Sequence, residues 1–454
     1  MRPILVSEVI ANSKFNNFFI FIFAVCWLTV INEGFNINVF GLVIPSLIKD
    51  WGLNPAQIGA LGSFGMAGMI FGSLVFGPLS DKIGKGKALM LATAVYCIFT
   101  IAVGFSSGFN EFAIYRFIAG IGLAGAFPIV VAFTSEYSPK AIRSRLVVWV
   151  TSGMALGTVV AVLISLAVLS TYGWRMMFFV TAIPLLLLVA QYFLPESMSF
   201  LIAKGQKDKI AKILESANPE FKAQPDDEYQ LAASEKGTVS LASLFGPGMA
   251  RNTIIFWLVF FLNYIFIYGV LTWLTQLMKM QGWSLEWSLG FTMIWNLGFI
   301  LGIPLCGWLQ DKYGGKITLT IGLLILAILT FIDSAVGSSK DALTLGIALF
   351  LTGAAQHGLN GVAGSYMTQN YPLAFRGFGT GWGYGIGRIG GTVGPMLGGL
   401  LLTFGISGPT ALAIFACIPV ITAILICFTT DHTRATPIVE NRAQLSNEKP
   451  TSIS

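Results

Sequence analysis

Two similar stretches decide the fold: GPLSDKIGKGK at residues 77–87 and GWLQDKYGGK at residues 307–316. Each has a glycine, an aspartate four residues later, a second glycine three residues after that, and lysines close to the second glycine. A second pair, YSPKAIRSR at 137–145 and YPLAFRGFG at 371–379, lies at nearly the same separation of about 230 residues. Self-similarity at one fixed separation is typical of an internal duplication. The sequence therefore predicts two copies of one structural unit.

The composition indicates where these units lie. The chain of 454 residues is 55% hydrophobic and only 11% charged, whereas about 25% of a soluble protein is charged. The apolar residues fall in runs of about 20 or more, which is the length that crosses a bilayer as a helix. The sequence therefore predicts an all-α, multi-pass membrane protein.

Twelve transmembrane helices are predicted from the apolar runs. Their expected ranges are 17–45, 57–79, 88–106, 111–136, 144–170, 175–195, 252–278, 287–309, 317–336, 342–369, 378–404 and 409–430.

These helices are expected to form two six-helix bundles, residues 1–195 and residues 252–430. Residues 196–251 are the one extended polar stretch, and we predict that they form a cytoplasmic linker and hinge with a short amphipathic helix. Residues 431–454 are expected to be a disordered cytoplasmic tail.

The distribution of basic residues predicts the orientation. Most of the 27 lysines and arginines lie in the termini, the linker and the loops that follow even-numbered helices. Loops rich in lysine and arginine stay on the cytoplasmic side, so both termini are predicted to be cytoplasmic and the location to be a bacterial inner membrane. The net charge of +6 then reflects topology and contact with the bilayer, not nucleic-acid binding.

The sequence carries no pattern typical of catalysis. No nucleophile with a nearby base, no phosphate-binding loop and no cluster of metal ligands stands out, and enzyme sites are built from such groups. We therefore expect no catalytic residue, no metal and no cofactor. The protein is predicted to be a monomeric carrier of a small molecule, because one chain holds both halves of a pathway.

The repeated loop identifies a family. GPLSDKIGKGK resembles the loop between helices two and three of the major facilitator superfamily, and the second copy strengthens the resemblance. In that family the loop latches the outward-open state. The resemblance implies gating roles for the matching residues of both copies: Gly77, Asp81, Gly84, Lys85, Lys87, Gly307, Asp311, Gly314 and Lys316.

Two further motifs extend the resemblance. PESMSFL at 195–201 resembles an element after helix six of related porters, which implies a cytoplasmic ion-pair network for gating. Its expected members are Glu136, Arg143, Glu196 and, by the internal repeat, Arg376. YRFIAGIGLAGAFP at 115–128 resembles the fourth-helix motif, whose arginine is tied to proton coupling in the family. Arg116 therefore has two interpretations, proton coupling or an interfacial arginine that reaches for the membrane surface.

Predicted helix eleven reads GWGYGIGRIGGTVGPMLGGLL at 381–401 and holds Arg388 deep in the span. An arginine at the bilayer centre costs at least about 2.5 kcal/mol, so it needs a wet cavity or an opposite charge. GRIGGTVGP resembles the helix-eleven pattern of the aromatic acid:proton symporter family, which implies that Arg388 binds the substrate's carboxylate. The alternative is a structural pair with a buried acid. The Gly-Pro spacing also resembles a drug-antiporter motif, but that motif lies on helix five.

Predicted helix one contains INEGFNINVF at 31–40. The aromatic acid:proton symporters carry D-G-x-D there, so Glu33 matches the first acid and Asn36 replaces the second. A carboxyl group in a low-dielectric environment can bind and release a proton as water access alternates. Glu33 is thus the candidate proton carrier, and the alternative is a counter-charge for Arg116 or Arg388.

Helices seven and ten offer polar side chains for the rest of the substrate. Aromatic and amide groups can stack on a ring and hydrogen-bond to its substituents. The candidates, together with Asn36, are Asn263, Tyr264, Tyr268, Gln356, His357 and Asn360.

These features together predict a secondary active transporter that imports an organic, by resemblance aromatic, carboxylate with protons. Three alternatives stay open: a proton-independent uniporter or anion exchanger, a drug:proton antiporter, and a non-transporting membrane sensor. The first would ignore a pH gradient, and the last would bind without flux.

Overall fold

The computed structural model describes residues 2–224, 226–231, 240–246, 248–339, 341–372 and 375–430. The predicted disordered tail, residues 431–454, lies outside these ranges.

A helix lies at each of the twelve predicted spans. In the first half these are α2 (Asn17–Trp51), α3 (Pro55–Ile83), α4 (Lys85–Gly104), α5 (Phe109–Glu136), α6 (Arg143–Tyr172), and a last span of α7 (Trp174–Phe179), a 3-10 segment (Val180–Leu186) and α8 (Leu187–Tyr192). In the second half these are α11 (Ala250–Met280), a broken span of α12 (Leu285–Leu297) and α13 (Phe299–Tyr313), α14 (Gly315–Val336), α15 (Ala342–Asn370), α16 (Arg376–Thr403) and α17 (Gly408–Cys427).

Eleven of these spans, within the described chain, are long and apolar enough to cross a membrane. The remaining one, α16, has 28 residues, about 42 Å at 1.5 Å per residue. Its many glycines and its two arginines, Arg376 and Arg388, make it less hydrophobic than the others. Charged residues within a span usually face the interior of the bundle or a water-filled cavity. We therefore expect the arginine-bearing part of α16 to face the bundle interior or such a cavity.

The prediction of a purely helical chain is wrong in one small region. Residues Arg2–Leu5 (β1) pair in parallel with Asp227–Gln230 (β2). Four-residue strands are too short to produce a recognisable alternation of apolar and polar residues. The hydrogen bonds of this pair attach the start of the chain to the linker.

The linker also has more structure than one amphipathic helix. It contains α9 (Met198–Ala203), α10 (Lys207–Ala217) and a 3-10 turn (Leu241–Phe245), and a short helix α1 (Val6–Ala11) precedes α2. The side chain of Asn16 donates to the carbonyl groups of Ser216 and Ala217 at 3.2 and 3.1 Å. The first part of the linker is therefore packed on the N-terminal half and is not a free hinge.

The helices pack in two groups with a seam between them. In the first group α3 and α4 pack on α5, and α2 packs on α6; in the second, α14 packs on α15 and α17, and α11 packs on α16. Three contacts join the groups: α3 with α16, α2 with α11, and α6 with α12. The seam is where a transported molecule would pass.

The repeated loops have the same backbone geometry. Gly84 joins α3 to α4 with φ +94°, and Gly314 joins α13 to α14 with φ +86°. Only glycine adopts such angles readily, which explains why both copies keep it.

Glycines also set the spacing of α3 and α5. A Cβ atom added to Gly120 would collide with the carbonyl oxygen of Gly65, and one added to Gly68 would collide with that of Phe117. Such close backbone contact is a common means of packing membrane helices. The helices can approach this closely only because both carry glycine at the crossing.

We expect Gly120→Val to lower the thermal stability of the purified protein strongly, because the added side chain forces α3 and α5 apart and overpacking costs about 1–3 kcal/mol. Gly361→Val is the matched control, since no atom lies within 4 Å of a Cβ there. Thermal unfolding in detergent measures both. Equal midpoints for the two variants would contradict the packing account.

Candidate functional site

A cleft of about 630 Å³ opens along the seam on the side of the molecule that carries the linker, here called the linker face. It lies between α3, α5 and α16. Among its lining residues are Ser73, Gly77, Pro128, Gly381, Tyr384 and Arg388. The cleft therefore leads from the linker face to Arg388, the arginine that is predicted to bind the substrate's carboxylate.

The seam is closed on the opposite side, here called the far face. The amide of Ala56 donates to the hydroxyl of Thr403 at 2.9 Å, and the hydroxyl of Ser63 donates to the carbonyl of Thr392 at 2.6 Å. A Cβ on Gly59 would lie 2.6 Å from the carbonyl oxygen of Pro395. The halves thus touch at the far face and separate at the linker face, as alternating access requires of one of its two states.

Glu33 and Arg388 face each other across the seam. Glu33 on α2 is 2% exposed, and its Oε2 atom has no hydrogen-bond partner. Arg388 on α16 donates through Nη1 to the carbonyl of Met69 at 3.3 Å. The two side chains interact electrostatically, but within the described residues no lysine or arginine nitrogen lies within 4.0 Å of Glu33. A carboxyl group and a guanidinium group thus lie near each other without closing into an ion pair.

Two tyrosines of α11 lie beside this pair. The rings of Tyr264 and Tyr268 are 5.6 Å apart, and both side chains interact electrostatically with Arg388. Gly387 and Gly391 on α16 make room for them, because Cβ atoms there would lie 3.2 and 2.9 Å from the two rings. The glycine pattern of α16 therefore places aromatic rings next to the arginine.

Three of the predicted polar residues form a network of their own. Asn263 on α11 donates to Asn360 at 2.9 Å, and Gln356 donates to Asn263 at 3.1 Å. The Oε1 atom of Gln356 stays without a partner. The network joins α11 to α15 and leaves one buried acceptor available.

The structure does not bring His357 and Asn36 into the same cluster. The ring of His357 lies 5.1 Å from that of Trp295 and 6.5 Å from that of Phe299, on the α12–α13 side of α15. Asn36 donates to the backbone and side-chain oxygens of Asn32 at 2.9 and 3.1 Å. Both residues are therefore engaged in helix packing in this state.

Sequence reasoning missed Tyr96. It lies on α4 in an ordinary apolar run, and no motif marks it. Its hydroxyl accepts a hydrogen bond from Asn32 at 2.7 Å, and it interacts electrostatically with Glu33. A polar chain from Asn36 through Asn32 to Tyr96 thus runs beside the candidate proton carrier.

Arg116 does not fit the interfacial interpretation, and its role in proton coupling stays a prediction. It is 7% exposed, so it does not reach for the membrane surface. Its guanidinium carbon lies 4.9 Å from the centre of the Phe40 ring, and its Nε atom has no partner. Within the described chain no carboxylate lies within 4.0 Å of it. Glu33 therefore does not neutralise Arg116 here.

Part of the predicted ion-pair network exists at the linker face. Lys85 and Glu136 form an ion pair at 2.9 Å, and Glu136 also accepts from the amide of Met198 at 2.7 Å. Glu196 accepts from the amide of Gly86 at 3.0 Å. These bonds fasten the start of the linker to the loop between α3 and α4.

The arginines of this region make other contacts. Arg143 donates to the carbonyl of Ser138 at 3.3 Å, and Arg376 donates to that of Tyr371 at 3.2 Å. The prediction that Arg143 pairs with the acids is therefore wrong in this state. Each arginine donates to the carbonyl five residues before it. The same hydrogen bond thus occurs at equivalent positions of the two repeats.

The other predicted gating residues make few contacts. Lys316 donates to the carbonyl of Thr429 at 2.6 Å. Gly77 and Gly307 have no atom within 4 Å of a Cβ, so neither makes a close helix contact in this state. Gly77 lines the open cleft. Among the predicted gating residues, all of which lie in the described ranges, the exposed side chains of Asp81, Lys87 and Asp311 make no hydrogen bond or ion pair.

Comparison with known proteins agrees with this architecture. The sequence profile of the Major Facilitator Superfamily matches residues 26–332 and 287–453. The chain is 33% identical over 436 residues to the benzoate transport protein of Acinetobacter baylyi, which covers 94% of this chain and 93% of that protein. It is also 33% identical over 389 residues to the 4-hydroxybenzoate transporter PcaK of Acinetobacter baylyi, covering 83% and 84% of the two chains.

A solved structure resembles the fold. The inward-open xylose transporter XylE from E. coli superposes with a TM-score of 0.74 at 20% identity, over 94% of this chain and 99% of that one. This likeness concerns the fold alone. The profile match and the two relatives assign the chain: the protein belongs to the Major Facilitator Superfamily of multi-pass membrane transporters and resembles its aromatic acid:proton symporters.

Proposed function

We propose that the protein imports an aromatic carboxylate together with protons by alternating access. The observation that carries this proposal is the position of Glu33, a buried carboxyl group that faces Arg388 across the seam without pairing with it. Relatives that carry benzoate and 4-hydroxybenzoate support the substrate class.

The coupling follows from competition for one cation. When Glu33 is ionised, its charge attracts Arg388 and opposes a second carboxylate at the same guanidinium. A proton on Glu33 removes that competition, so the substrate's carboxylate can accept a bidentate pair of hydrogen bonds from Arg388. Substrate and proton then stabilise each other's binding, which is the thermodynamic requirement for symport.

The aromatic ring of the substrate would lie against Tyr264 and Tyr268, whose faces can stack on it. The free acceptor of Gln356, in the network with Asn263 and Asn360, would receive a hydroxyl substituent. His357 and Asn36 would join the site only if the helices that hold them rotate.

The halves would be residues 1–195 and 252–430, joined by the linker 196–251. The linker face would be cytoplasmic, since most basic loops lie there, in the inner membrane of a bacterium. Gating would use the Lys85–Glu136 pair and Glu196 in this state. Asp81, Asp311 and their neighbouring residues would make latching contacts when the cleft closes.

Uptake of labelled 4-hydroxybenzoate into proteoliposomes tests the proposal. We expect the initial rate to rise several-fold when the interior is made alkaline, because the gradient supplies protons to Glu33 from outside. Protein-free vesicles are an essential control, since neutral aromatic acids cross lipid unaided. The rate in these vesicles is subtracted.

Two outcomes would contradict the proposal. Protein-dependent uptake that ignores the gradient would favour a uniporter or exchanger. No protein-dependent uptake of either benzoate or 4-hydroxybenzoate would exclude aromatic carboxylates as the substrate class.

Inhibition of uptake by unlabelled benzoate but not by benzamide is expected, because benzamide keeps the ring and loses the carboxylate.

A further inference from the structure

The two arginines within the spans, the half-buried Arg388 and the buried Arg116, lie on opposite sides of the barrier. Arg388 lines the cleft that is open to the linker face. Arg116 lines a separate cavity of only about 10 Å³, roughly the space of one water molecule, towards the closed far face. In α5, which runs from Phe109 to Glu136, Arg116 is the eighth residue, close to the end at the far face. One cation is thus accessible in the present state and the other is sealed.

No carboxylate in the described part of the chain lies within 4.0 Å of Arg116 to explain its burial. The guanidinium rests over the Phe40 ring at 4.9 Å and against Gly65, where a Cβ would lie 3.1 Å from Nη2. An unpaired arginine within a membrane is expensive and marks an ion pathway by default. A permanent cation that no residue neutralises can bind an anion that arrives from outside.

The walls of the small cavity come from both halves. Asn38 and Met66 contribute from the first half, and Tyr268 and Thr272 contribute from the second. The halves approach each other closely at Gly41, where a Cβ would lie 2.9 Å from the carbonyl oxygen of Leu271. If the halves separate at the far face, these walls must move apart, so the cavity at Arg116 widens into the opening.

Tyr268 belongs to both sites. It lines the cavity of Arg116 and interacts electrostatically with Arg388 and Glu33. Tyr268 is therefore a neighbour of both guanidinium groups, and its ring can contact a substrate ring held by either one.

We propose that Arg116 is the carboxylate-binding residue of the state open to the far face, and that the substrate passes from Arg116 along Tyr268 to Arg388 as the seam reverses. This inference rests on the proposed function, because it concerns the same aromatic carboxylate. In this proposal Arg116 binds substrate that enters from the far face, and Arg388 binds substrate that is accessible from the linker face.

The KM values for transport from the two faces test the proposal. In proteoliposomes of known orientation, Arg116→Gln is expected to raise KM for substrate added at the far face about tenfold or more, as the loss of a charged hydrogen-bonding partner predicts. KM for substrate added at the linker face should stay within about twofold. Without gradients, the ratio of the maximal rate from the linker face to that from the far face must fall in the same proportion, because the two directions share one equilibrium.

Arg175→Gln is the matched control. Arg175 is also at the far face, but it is exposed and pairs with Asp50 at 3.1 Å, so neither KM should change. Arg116→Lys keeps the charge and should recover part of the far-face affinity. An unchanged linker-face KM in Arg116→Gln also reports that the variant is folded.

The outcomes separate this inference from the proposed function. If native protein transports no aromatic acid, the proposed function fails and the inference fails with it. If native protein transports the acid while Arg116→Gln changes both KM values equally or neither, only the inference is overturned.

Discussion

Glu33→Gln is expected to abolish the response of uptake to a pH gradient and to preserve exchange of labelled for unlabelled 4-hydroxybenzoate. The glutamine side chain resembles a permanently protonated glutamate, so it leaves Arg388 free for the substrate but carries no proton. We expect the gradient-driven, protein-dependent rate to fall about tenfold or more, while counterflow stays within about threefold of native. Initial rates of both processes in the same vesicles measure this.

Asp333→Asn is the control for loss of a buried acid. Asp333, near the end of α14, is 1% exposed and accepts a hydrogen bond from Thr352 at 2.7 Å, so it is a buried acid. It is engaged within the second half, and its variant should keep the response to the gradient. A Glu33→Gln protein that still responds like native would show that Glu33 is a counter-charge only.

Arg388→Lys should raise KM about 10–100-fold and leave the fold intact. Lysine keeps the positive charge but loses the planar fork that binds both oxygens of a carboxylate. Loss of one charge-assisted hydrogen bond is worth about 1.5–3 kcal/mol, which corresponds to this range. Concentration dependence of uptake at a fixed pH gradient measures it.

Arg251→Lys is the matched control, because Arg251 is an exposed arginine at the start of α11 in the same half. Its KM should equal the native value. Arg388→Gln should do more damage than Arg388→Lys, since it also removes the charge opposite Glu33. If Arg388→Lys transported with native KM, a bidentate hydrogen bond between Arg388 and the substrate's carboxylate would be excluded.

Much of the fold could be predicted because the bilayer limits the possibilities. A spanning segment must satisfy its backbone internally and present apolar side chains, so long apolar runs predict helices well. The repeated loops predicted the duplication, and Gly84 and Gly314, at equivalent positions of the two copies, have similar positive φ angles. The pairing of β1 with β2 could not be predicted, because it joins four-residue segments more than two hundred residues apart.

The site was partly predictable for a related reason. Charges within a span are costly, so Glu33 and Arg388 stood out from their apolar surroundings. Sequence could not tell which charges face each other, since that depends on how α2, α5 and α16 pack. Hence the isolation of Arg116 and the position of Tyr96 beside Glu33 came only from the structure. The same holds for His357, whose ring packs on Trp295 instead of bonding to the Asn263–Gln356–Asn360 network.

The central claim is that substrate binding at Arg388 loads a proton onto Glu33. The most direct test adds 4-hydroxybenzoate to purified protein in weakly buffered detergent solution and follows the pH with an indicator dye, which avoids leakage through lipid. The account predicts that native protein takes up protons from solution in proportion to the substrate bound, over the pH range in which Glu33 is ionised beforehand, and that Glu33→Gln binds substrate without taking up protons. Binding by native protein with no proton uptake at any pH would contradict it.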